Sequence, residues 1–315
     1  MSFVKSAAIA IAMGVVGSAS AADNFQAVRT GLAHDSIYSI DRSGDALWAV
    51  GGHGMVLRSV DNGGSWQTVS GPGDFAALGL TFKDGAPVMV GQAGKAFQSV
   101  DGNGNWQALD TGTDQRLLSI VSLSDGSQIA VGAFGTIIRR APNSDAFEAI
   151  TVDWQAIIAD DFEPHLYDIV QTKKGSILIS GEFGLILRSD DGGKSWSSHN
   201  SNDSSVFALH QSESGVVTGV GQAGYVISSK DDGKSWQTTD AGTSANLLGV
   251  SSSGGKLVVV GVRAVLSSND GGKSWEALVN RDTERRWYQG ITGVASDNEG
   301  RRFFAAGQLG QIVNF

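Results

Sequence analysis

An eight-residue motif that recurs about every forty residues is the feature that most constrains the fold of this chain. The copy at Ser189–Trp196 reads Ser-Asp-Asp-Gly-Gly-Lys-Ser-Trp, three close copies end at Trp66, Trp236 and Trp275, and a looser one ends at Trp106. This spacing is typical of one small sheet repeated around an axis, as in a β-propeller. The chain also contains 43 glycines and 4 prolines, a balance that favours short strands joined by tight turns.

Two further markers accompany the motif and divide the chain into seven units. One is a Gly-x-x-Gly turn between two apolar runs, which indicates a hairpin. The other is a short apolar strand with a small residue in its third place, which suits a crowded position around a channel. Four strands in each unit predict an all-β, seven-bladed β-propeller of four-stranded antiparallel blades. The turns are Gly51–Gly54, Gly91–Gly94, Gly132–Gly135, Gly181–Gly184, Gly221–Gly224, a degenerate Gly261-Val262-Arg263 and Gly307–Gly310, and the innermost strands begin at Ile37, Ala77, Leu117, Leu166, Val206, Leu247 and Ile291.

The last unit of the chain lacks a fourth strand, and a segment near the N-terminus can supply it. The seventh unit stops at Phe315, after its third strand, whereas Phe25–Arg29 precedes the first unit and resembles the outer strands of the others. We therefore expect the mature N-terminal strand to close the ring as the fourth strand of the last blade. Closure would remove the exposed sheet edges that a gap would leave.

The first 22 residues have the features of a secretory signal peptide. Lys5 precedes an apolar run from Ala7 to Val16, which is followed by small residues up to Ala22. A charged start, a short apolar core and an Ala-x-Ala-like site are typical of export signals; an uncleaved amphipathic helix is the alternative. We expect residues 1–22 to be removed and residues 23–315 to form one exported, periplasmic, monomeric domain without a membrane-spanning segment.

Composition excludes several kinds of site. The formal net charge of −9 gives no electrostatic basis for binding nucleic acid. The absence of cysteine excludes disulfides and thiolate metal sites. The five histidines have no metal-ligand spacing, and the aspartate motif only loosely resembles a calcium loop, since it lacks the bidentate glutamate. We expect neither a metal nor a cofactor, with calcium as a remaining alternative for the aspartate motif.

The recurring motif itself is predicted to be structural, because a catalytic site would not need a copy in nearly every unit. Its aspartate can accept backbone N–H groups within its own turn, and its tryptophan can pack into the blade. Phe147 takes the place of the tryptophan in the third unit. The residues assigned to this role are Asp61, Trp66, Asp101, Trp106, Asp191, Trp196, Asp231, Trp236, Asp270 and Trp275.

The pattern from Gly181 to Trp196, Gly-x-x-Gly followed by an apolar strand and the Arg-Ser-x-Asp-Gly-Gly-x-Ser-Trp motif, resembles the Asp-box or BNR repeat. Across the mature chain it is most similar to the seven-bladed propellers of the photosystem II stability and assembly factor family. The resemblance implies a non-enzymatic, exported propeller that binds a membrane-protein partner through an arginine cluster on one face. The arginine column is kept at Arg58, Arg139 and Arg188, whereas Gln98, Ser228, Ser267 and Asn314 stand in the other units.

Two long connections are the predicted partner-binding elements. Residues 153–165 and 280–289 interrupt the repeat, and both should open on the face that carries the Gly-x-x-Gly turns. They combine aromatic and charged residues, which is typical of interface hot spots, although the aromatic rings could instead fold back onto the blades. The candidates are Trp154, Asp160, Asp161, Glu163, Arg281, Arg285, Arg286, Trp287 and Tyr288, together with Phe134, Phe183 and Glu182 in the turns.

Asp168 is the one charged residue in the third place of an innermost strand. It should either point its charge into the central channel or remain a water-solvated carboxylate in the channel wall. The predicted function is that of a non-catalytic binding or assembly factor for a protein, such as a membrane-protein complex. The alternative is a glycan-binding or sialidase-like propeller, in which the arginine loop would hold an anion and Glu182 would lie near the channel mouth.

Overall fold

The computed structural model describes residues 25–159, 162–296 and 300–315. The signal peptide predicted at residues 1–22 and the candidates Asp160 and Asp161 lie outside the described residues. Seven four-stranded antiparallel sheets follow one another along the chain. Within each blade we call the strands A to D from the innermost to the outermost. The A strands of neighbouring blades contact one another around a central channel.

The predicted all-β, seven-bladed propeller is therefore confirmed. Blades one to three consist of β2 (Ile37–Ser43), β3 (Ala46–Gly51), β4 (Val56–Ser59) and β5 (Gln67–Val69); β6 (Ala77–Lys83), β7 (Ala86–Gly91), β8 (Ala96–Ser99) and β9 (Trp106–Leu109); and β10 (Leu117–Ser122), β11 (Gln128–Gly132), β12 (Ile137–Arg140) and β13 (Phe147–Ala149). Blades four to six consist of β14 (Leu166–Gln171), β15 (Ile177–Gly181), β16 (Ile186–Ser189) and β17 (Ser197–Asn200); β18 (Val206–Gln211), β19 (Val217–Gly221), β20 (Tyr225–Ser229) and β21 (Gln237–Asp240); and β22 (Leu247–Ser253), β23 (Lys256–Gly261), β24 (Ala264–Ser268) and β25 (Glu276–Ala277).

Blade seven joins the two ends of the chain, as the sequence predicts. It contains β26 (Tyr288–Ser296), β27 (Gly300–Gly307) and β28 (Ile312–Asn314), and its fourth strand is β1 (Gln26–Arg29). The β1 strand runs antiparallel to β28, with Gln26 opposite Asn314 and Ala27 opposite Val313. The last sheet thus has four strands in the same spatial order as the other blades, with strand A at its inner edge and β1 at its outer edge.

The innermost strand of blade seven begins three residues earlier than the sequence analysis predicts. Tyr288 lies opposite Gly307 in the same register as Ile37 opposite Gly51, and a bulge follows in both strands. Gly290, rather than Gly293, therefore occupies the small third place. Tyr288 also takes the fully buried first place, where the other blades have an aliphatic residue or alanine. A bulky tyrosine at that place concealed the start of the strand.

Each boundary between consecutive blades holds its own hydrophobic cluster within the described parts of the chain. The B strands are buried along nearly their whole length because a neighbouring blade covers each of their faces. The tryptophans of the aspartate motif join these clusters as half-buried rings. Trp66 meets Phe304 of blade seven edge-on at 6.5 Å, and the indole N–H of Trp106 donates to the carbonyl of Ser70 in blade one at 2.7 Å. The ring thus lies between two blades rather than inside its own blade.

The described residues include one α-helix, α1 (Trp154–Ile158), in the connection between blades three and four. Short 3₁₀ turns lie at Gly52–Gly54, Gln92–Gly94, Glu182–Gly184 and Gln222–Gly224. No helix among the described residues has the length and apolar character needed to cross a membrane.

Candidate functional site

The two faces of the propeller differ in how their polar groups are used. One face carries the turns between strands B and C and the connections that lead into strand A; we call it the loop face. The other carries the aspartate loops between strands C and D. Backbone hydrogen bonds join the elements of the loop face, for example from Gly135 N–H to the Pro164 carbonyl and from Gln308 N–H to the Trp287 carbonyl.

The motif aspartates accept hydrogen bonds within their own loops. The Asp61 carboxylate accepts from the Ser59 hydroxyl at 2.7 Å and from the N–H and hydroxyl of Ser65 at 2.9 and 2.7 Å. The Ser59 oxygen in turn accepts from Gly63 N–H. These bonds, those from Ser65 above all, lower the pKa of Asp61 to about 2. The serine partners recur around Asp191, Asp231 and Asp270, whereas Asp101 accepts from the backbone of Asn103 and Asn105.

The arginine column does not form a free cationic cluster. Arg58 packs over an indole ring of its own blade, with its guanidinium carbon 5.1 Å from the ring centre. Arg139 forms an ion pair of 3.0 Å within blade three. Arg188 is buried and donates its Nε–H to the carbonyl of Asp232 in the next blade at 3.0 Å. These side chains join strands and blades to one another, so they offer a partner little free charge.

The connection at residues 153–165 divides its aromatic residues between the core and the surface. Trp154 is buried in the boundary between blades three and four, and its ring fills the space that a side chain at Gly135 would need. Phe162 meets Phe183 edge-on at 5.6 Å, and Phe134 meets the ring of His165 at 4.8 Å. The side chains of Phe134, Phe162 and Phe183 are 58%, 41% and 57% exposed. We call these three phenylalanines the aromatic patch.

A cavity of about 490 Å³ occupies the channel, and one of about 710 Å³ lies beside the aromatic patch. The latter is lined mainly by apolar side chains, among them Ile157, Ile158 and Leu185, and Glu182 is the one charged residue among the described residues of its wall. A Glu182 carboxylate oxygen accepts from His165 N–H at 2.8 Å and thereby ties the turn of blade four to the inserted connection. Glu163 is exposed nearby.

The connection at residues 280–289 is likewise divided. Tyr288 is fully buried and donates its hydroxyl to Gln311 at 2.6 Å, so it cannot contact a partner. Trp287 stacks on Tyr38 at 5.9 Å. Arg281 and Arg285 are exposed.

Several arginines meet on the loop face of blades six and seven. Arg286 pairs with Asp282 at 3.1 Å and its carbonyl accepts from Arg263 N–H. A cavity of about 380 Å³ is lined by Arg281, Arg285 and Arg286 together with Asp282. We call Arg263, Arg281, Arg285 and Arg286 the arginine patch.

Arg263 and Phe162 are surface residues that the sequence analysis missed. Arg263 takes the turn position that Phe134 and Phe183 occupy in their blades, and all three have a left-handed backbone, with φ of 56°, 50° and 53°. Its place in the degenerate sixth turn was the signal that could have identified it. Phe162 lies inside a connection whose length varies, where no repeat position predicts its role.

Asp168 lies in the channel wall and is hydrogen-bonded to both neighbouring blades. One carboxylate oxygen accepts from the Ser119 hydroxyl at 2.7 Å and from Ile169 N–H, and the other accepts from Leu209 N–H at 2.8 Å. Asp41 also lines the channel, and its one protein hydrogen bond within the described residues comes from Arg42 N–H. Burial raises the pKa of both carboxyl groups to about 6.

Replacing Asp41 by asparagine should stabilise the protein at pH 8 but not at pH 4. A carboxyl group whose pKa is raised by folding favours the folded state below its unfolded pKa, and that contribution is lost as the pH rises through about 6. Asparagine keeps the acceptor for Arg42 N–H and removes the ionisation penalty, which is about 3 kcal/mol for a pKa raised from 3.8 to about 6. Thermal melts of wild type and Asp41→Asn at both pH values test this, and a difference in Tm that does not change with pH would contradict it.

The neighbourhood of Glu182 does not favour sialidase chemistry. A tyrosine nucleophile needs to lose its proton readily, whereas burial, followed by the negative charge of Glu182, raises the pKa of Tyr167. Tyr288 is fully buried in the boundary between blades six and seven, and its pKa is raised as well. No group of three potential metal ligands occurs among the residues that the structure describes.

The chain matches known proteins at the level of family and fold. A family model described as photosynthesis system II assembly factor YCF48 matches residues 146–312, more than half of the chain. A solved structure of YCF48 from Cyanidioschyzon merolae is 18% identical, with a TM-score of 0.74 over 93% of this chain and 98% of that chain. Another, described as YCF48 bound to D1 peptide, is 16% identical, with a TM-score of 0.71 over 93% and 94% of the two chains.

Structural similarity alone is not specific here. The WD40 repeats of RRP9 give the same TM-score of 0.71 at 8% identity, covering 93% of this chain and 97% of that chain, and no curated protein sequence matches. The likeness to solved structures thus concerns the propeller fold, and the family assignment rests on the sequence model. By that match, this chain belongs to the photosystem II assembly factor YCF48 family of BNR-repeat propellers.

Proposed function

We propose that the protein is an exported, non-catalytic assembly factor that binds a membrane-protein complex through its loop face. The observation that carries this proposal is the contrast between the two faces. The motif aspartates of the opposite face accept hydrogen bonds within their own loops, whereas the loop face presents three exposed phenylalanines and a group of arginines. Aromatic and arginine side chains are enriched in the energetic centres of protein interfaces, and loops on a rigid scaffold commonly carry binding.

The family match supports the same function. One member of known structure is described as bound to a D1 peptide, which is a precedent for peptide recognition on this fold. The patches on this chain lie on blades three and four and on blades six and seven, so a partner that touches both has to extend across the loop face. The net charge of −9 makes the arginine patch a local exception that would select acidic segments of a partner.

Substitution of the exposed arginines should remove partner binding while leaving the fold intact. We expect Arg281→Ala/Arg285→Ala to recover at least about tenfold less of a membrane-protein partner than wild type, because a lost contact worth about 1.4 kcal/mol changes affinity tenfold. Recovery would be measured by cross-linking in envelope extracts and mass spectrometry. The bait would be taken from the periplasmic fraction, where its intact mass also shows whether residues 1–22 have been removed.

The matched control is Lys194→Ala/Lys273→Ala, which removes two exposed cations from the opposite face. This variant should recover the partner as wild type does. A Phe134→Ala/Phe183→Ala variant tests the aromatic patch in the same way. Equal recovery by the control and by both loop-face variants would reject the loop face as the binding surface.

A further inference from the structure

The channel opens on the loop face through a ring of partly exposed apolar side chains. In each blade, strand A has a register shift directly after its first residue, so that the second residue lies outside the regular ladder. A bulge of this kind redirects a side chain. The second residues line the channel cavity, and we call them the collar: Tyr38, Leu78, Leu118, Tyr167, Phe207 and Leu248, with Gln289 in blade seven.

The collar provides aromatic surface at the entrance. Tyr167 and Phe207 meet edge-on at 5.0 Å, and Tyr38 is backed by the stacked ring of Trp287. Aromatic faces attract cations as well as apolar groups. An alkyl stem and a positive charge would therefore each increase the affinity of a ligand for this entrance.

Two carboxylates lie below the collar without a cationic partner. Among the residues that the structure describes, neither Asp41 nor Asp168 takes part in an ion pair. The nearest arginine in sequence to Asp41 is Arg42, whose Nε–H donates to the Gly44 carbonyl and whose guanidinium lies 3.6 Å from Asp45. Among the described residues, Arg42 N–H is the one hydrogen-bond donor to the Asp41 carboxylate, which leaves acceptor capacity for a ligand.

The other titratable groups of the channel do not neutralise this charge. Lys173 is in the turn after β14, at the end of the channel away from the collar, and it donates its ammonium group to the Glu213 carbonyl at 2.7 Å. His210 accepts from Ser252 N–H, and burial lowers its pKa to about 4, so it is neutral at pH 7. The stretch of the channel between the collar and Lys173 is therefore negative, beneath an apolar entrance.

We propose that the collar and the carboxylates of Asp41 and Asp168 form a binding site for a primary ammonium group on an alkyl stem, entering from the loop face. Strand A rises about 3.3 Å per residue, so Asp168 lies about one residue below the collar and Asp41 about three. A lysine-length chain reaches between these depths. An ammonium ion suits the site because it is a compact charge with three donors, whereas the planar fork of arginine needs a free carboxylate edge, and both oxygens of Asp168 already accept hydrogen bonds.

The test titrates n-butylammonium, the neutral analogue n-butanol and the peptide acetyl-Gly-Lys-Gly-amide into the full-length protein at pH 7.5 by isothermal calorimetry. We expect saturable binding of the ammonium compounds at millimolar concentrations and none of n-butanol. Asp41→Asn should weaken binding at least about tenfold, and the exposed Asp45→Asn should bind as wild type does. Binding should also weaken about tenfold at pH 5, because protons compete for carboxylates whose pKa is near 6.

The two ammonium probes distinguish the sources of such a ligand. Peptide binding as tight as that of n-butylammonium indicates a lysine side chain of a protein partner, and binding of n-butylammonium alone indicates a free amine; both support the site. An independent readout in wild type is the pKa of Asp41 followed by carbon NMR, which should fall when n-butylammonium is added. No saturable binding, equal binding by Asp41→Asn, or an unchanged pKa would overturn the proposal. Because this test involves no partner protein, its outcome is independent of the function proposed for the loop face.

Discussion

Deletion of residues 23–30 should lower Tm by about 5–8 °C, because it removes the strand that closes the ring. The β1 strand pairs with β28. Phe25 stacks on Phe315 at 5.4 Å and meets Tyr288 edge-on at 6.1 Å. Loss of these contacts exposes the edge of β28 and part of the core of blade seven. In a protein of this size about 1 kcal/mol corresponds to a degree or two of Tm, and we expect a loss of about 3–5 kcal/mol.

The control replaces the same residues with a Gly/Ser linker of equal length. It should melt as low as the deletion, because the stabilisation comes from the pairing and packing of β1 rather than from chain length. Phe25→Ala should give an intermediate value. The Tm of all three variants would be measured by circular dichroism. A deletion variant with the Tm of wild type would show that closure by β1 does not stabilise the fold.

Gly51→Ala should destabilise the protein by about 3–5 kcal/mol, although alanine is the smallest possible side chain. A Cβ atom at Gly51 would lie 2.0 Å from the carbonyl oxygen of Ser36 and 3.0 Å from the Cα of Ile37. Both are backbone atoms of the adjoining strand and its lead-in, so no rotamer change can relieve the clash. The strands β2 and β3 would have to separate, which would also disturb the collar.

The neighbouring glycine gives a matched control. A Cβ atom at Gly52 meets nothing within 4 Å, and its backbone is not left-handed. Gly52→Ala should therefore change the free energy of unfolding by no more than about 0.5 kcal/mol. Urea unfolding of both variants separates them clearly, and similar stabilities for the two would refute the steric explanation of the Gly-x-x-Gly turn.

The blade plan could be predicted from sequence because the repeat records the same local geometry many times. The Gly51 contact explains why the first glycine of the turn recurs, and the serine bonds of Asp61 explain the aspartate motif. The closure by β1 followed from counting strands. The register of β26 did not follow, because Tyr288 places an aromatic ring where the other blades have aliphatic residues or alanine, and a single irregular repeat cannot be aligned by pattern.

The candidate site was less accessible from sequence, because exposure within a connection depends on tertiary packing. Trp154 and Tyr288 are residue types common in interfaces, yet the structure buries Trp154 between blades three and four and Tyr288 between blades six and seven. Arg188 repeats in the expected column but is buried with Asp232. The roles predicted for Glu163, Arg281 and Arg285 remain predictions for the binding experiments.

The left-handed residue at each blade turn makes the loop face open to redesign. His53, Ala93, Phe134, Phe183, Ala223, Arg263 and Leu309 share nearly the same backbone angles, with φ between 50° and 63°. The framework therefore holds this backbone conformation with small, aromatic, charged and aliphatic side chains, none of them β-branched. The seven turn positions are structurally equivalent. Exchanging side chains among them should change which partners the loop face binds without changing the fold. A designer could use them to display seven chosen side chains on one rigid surface.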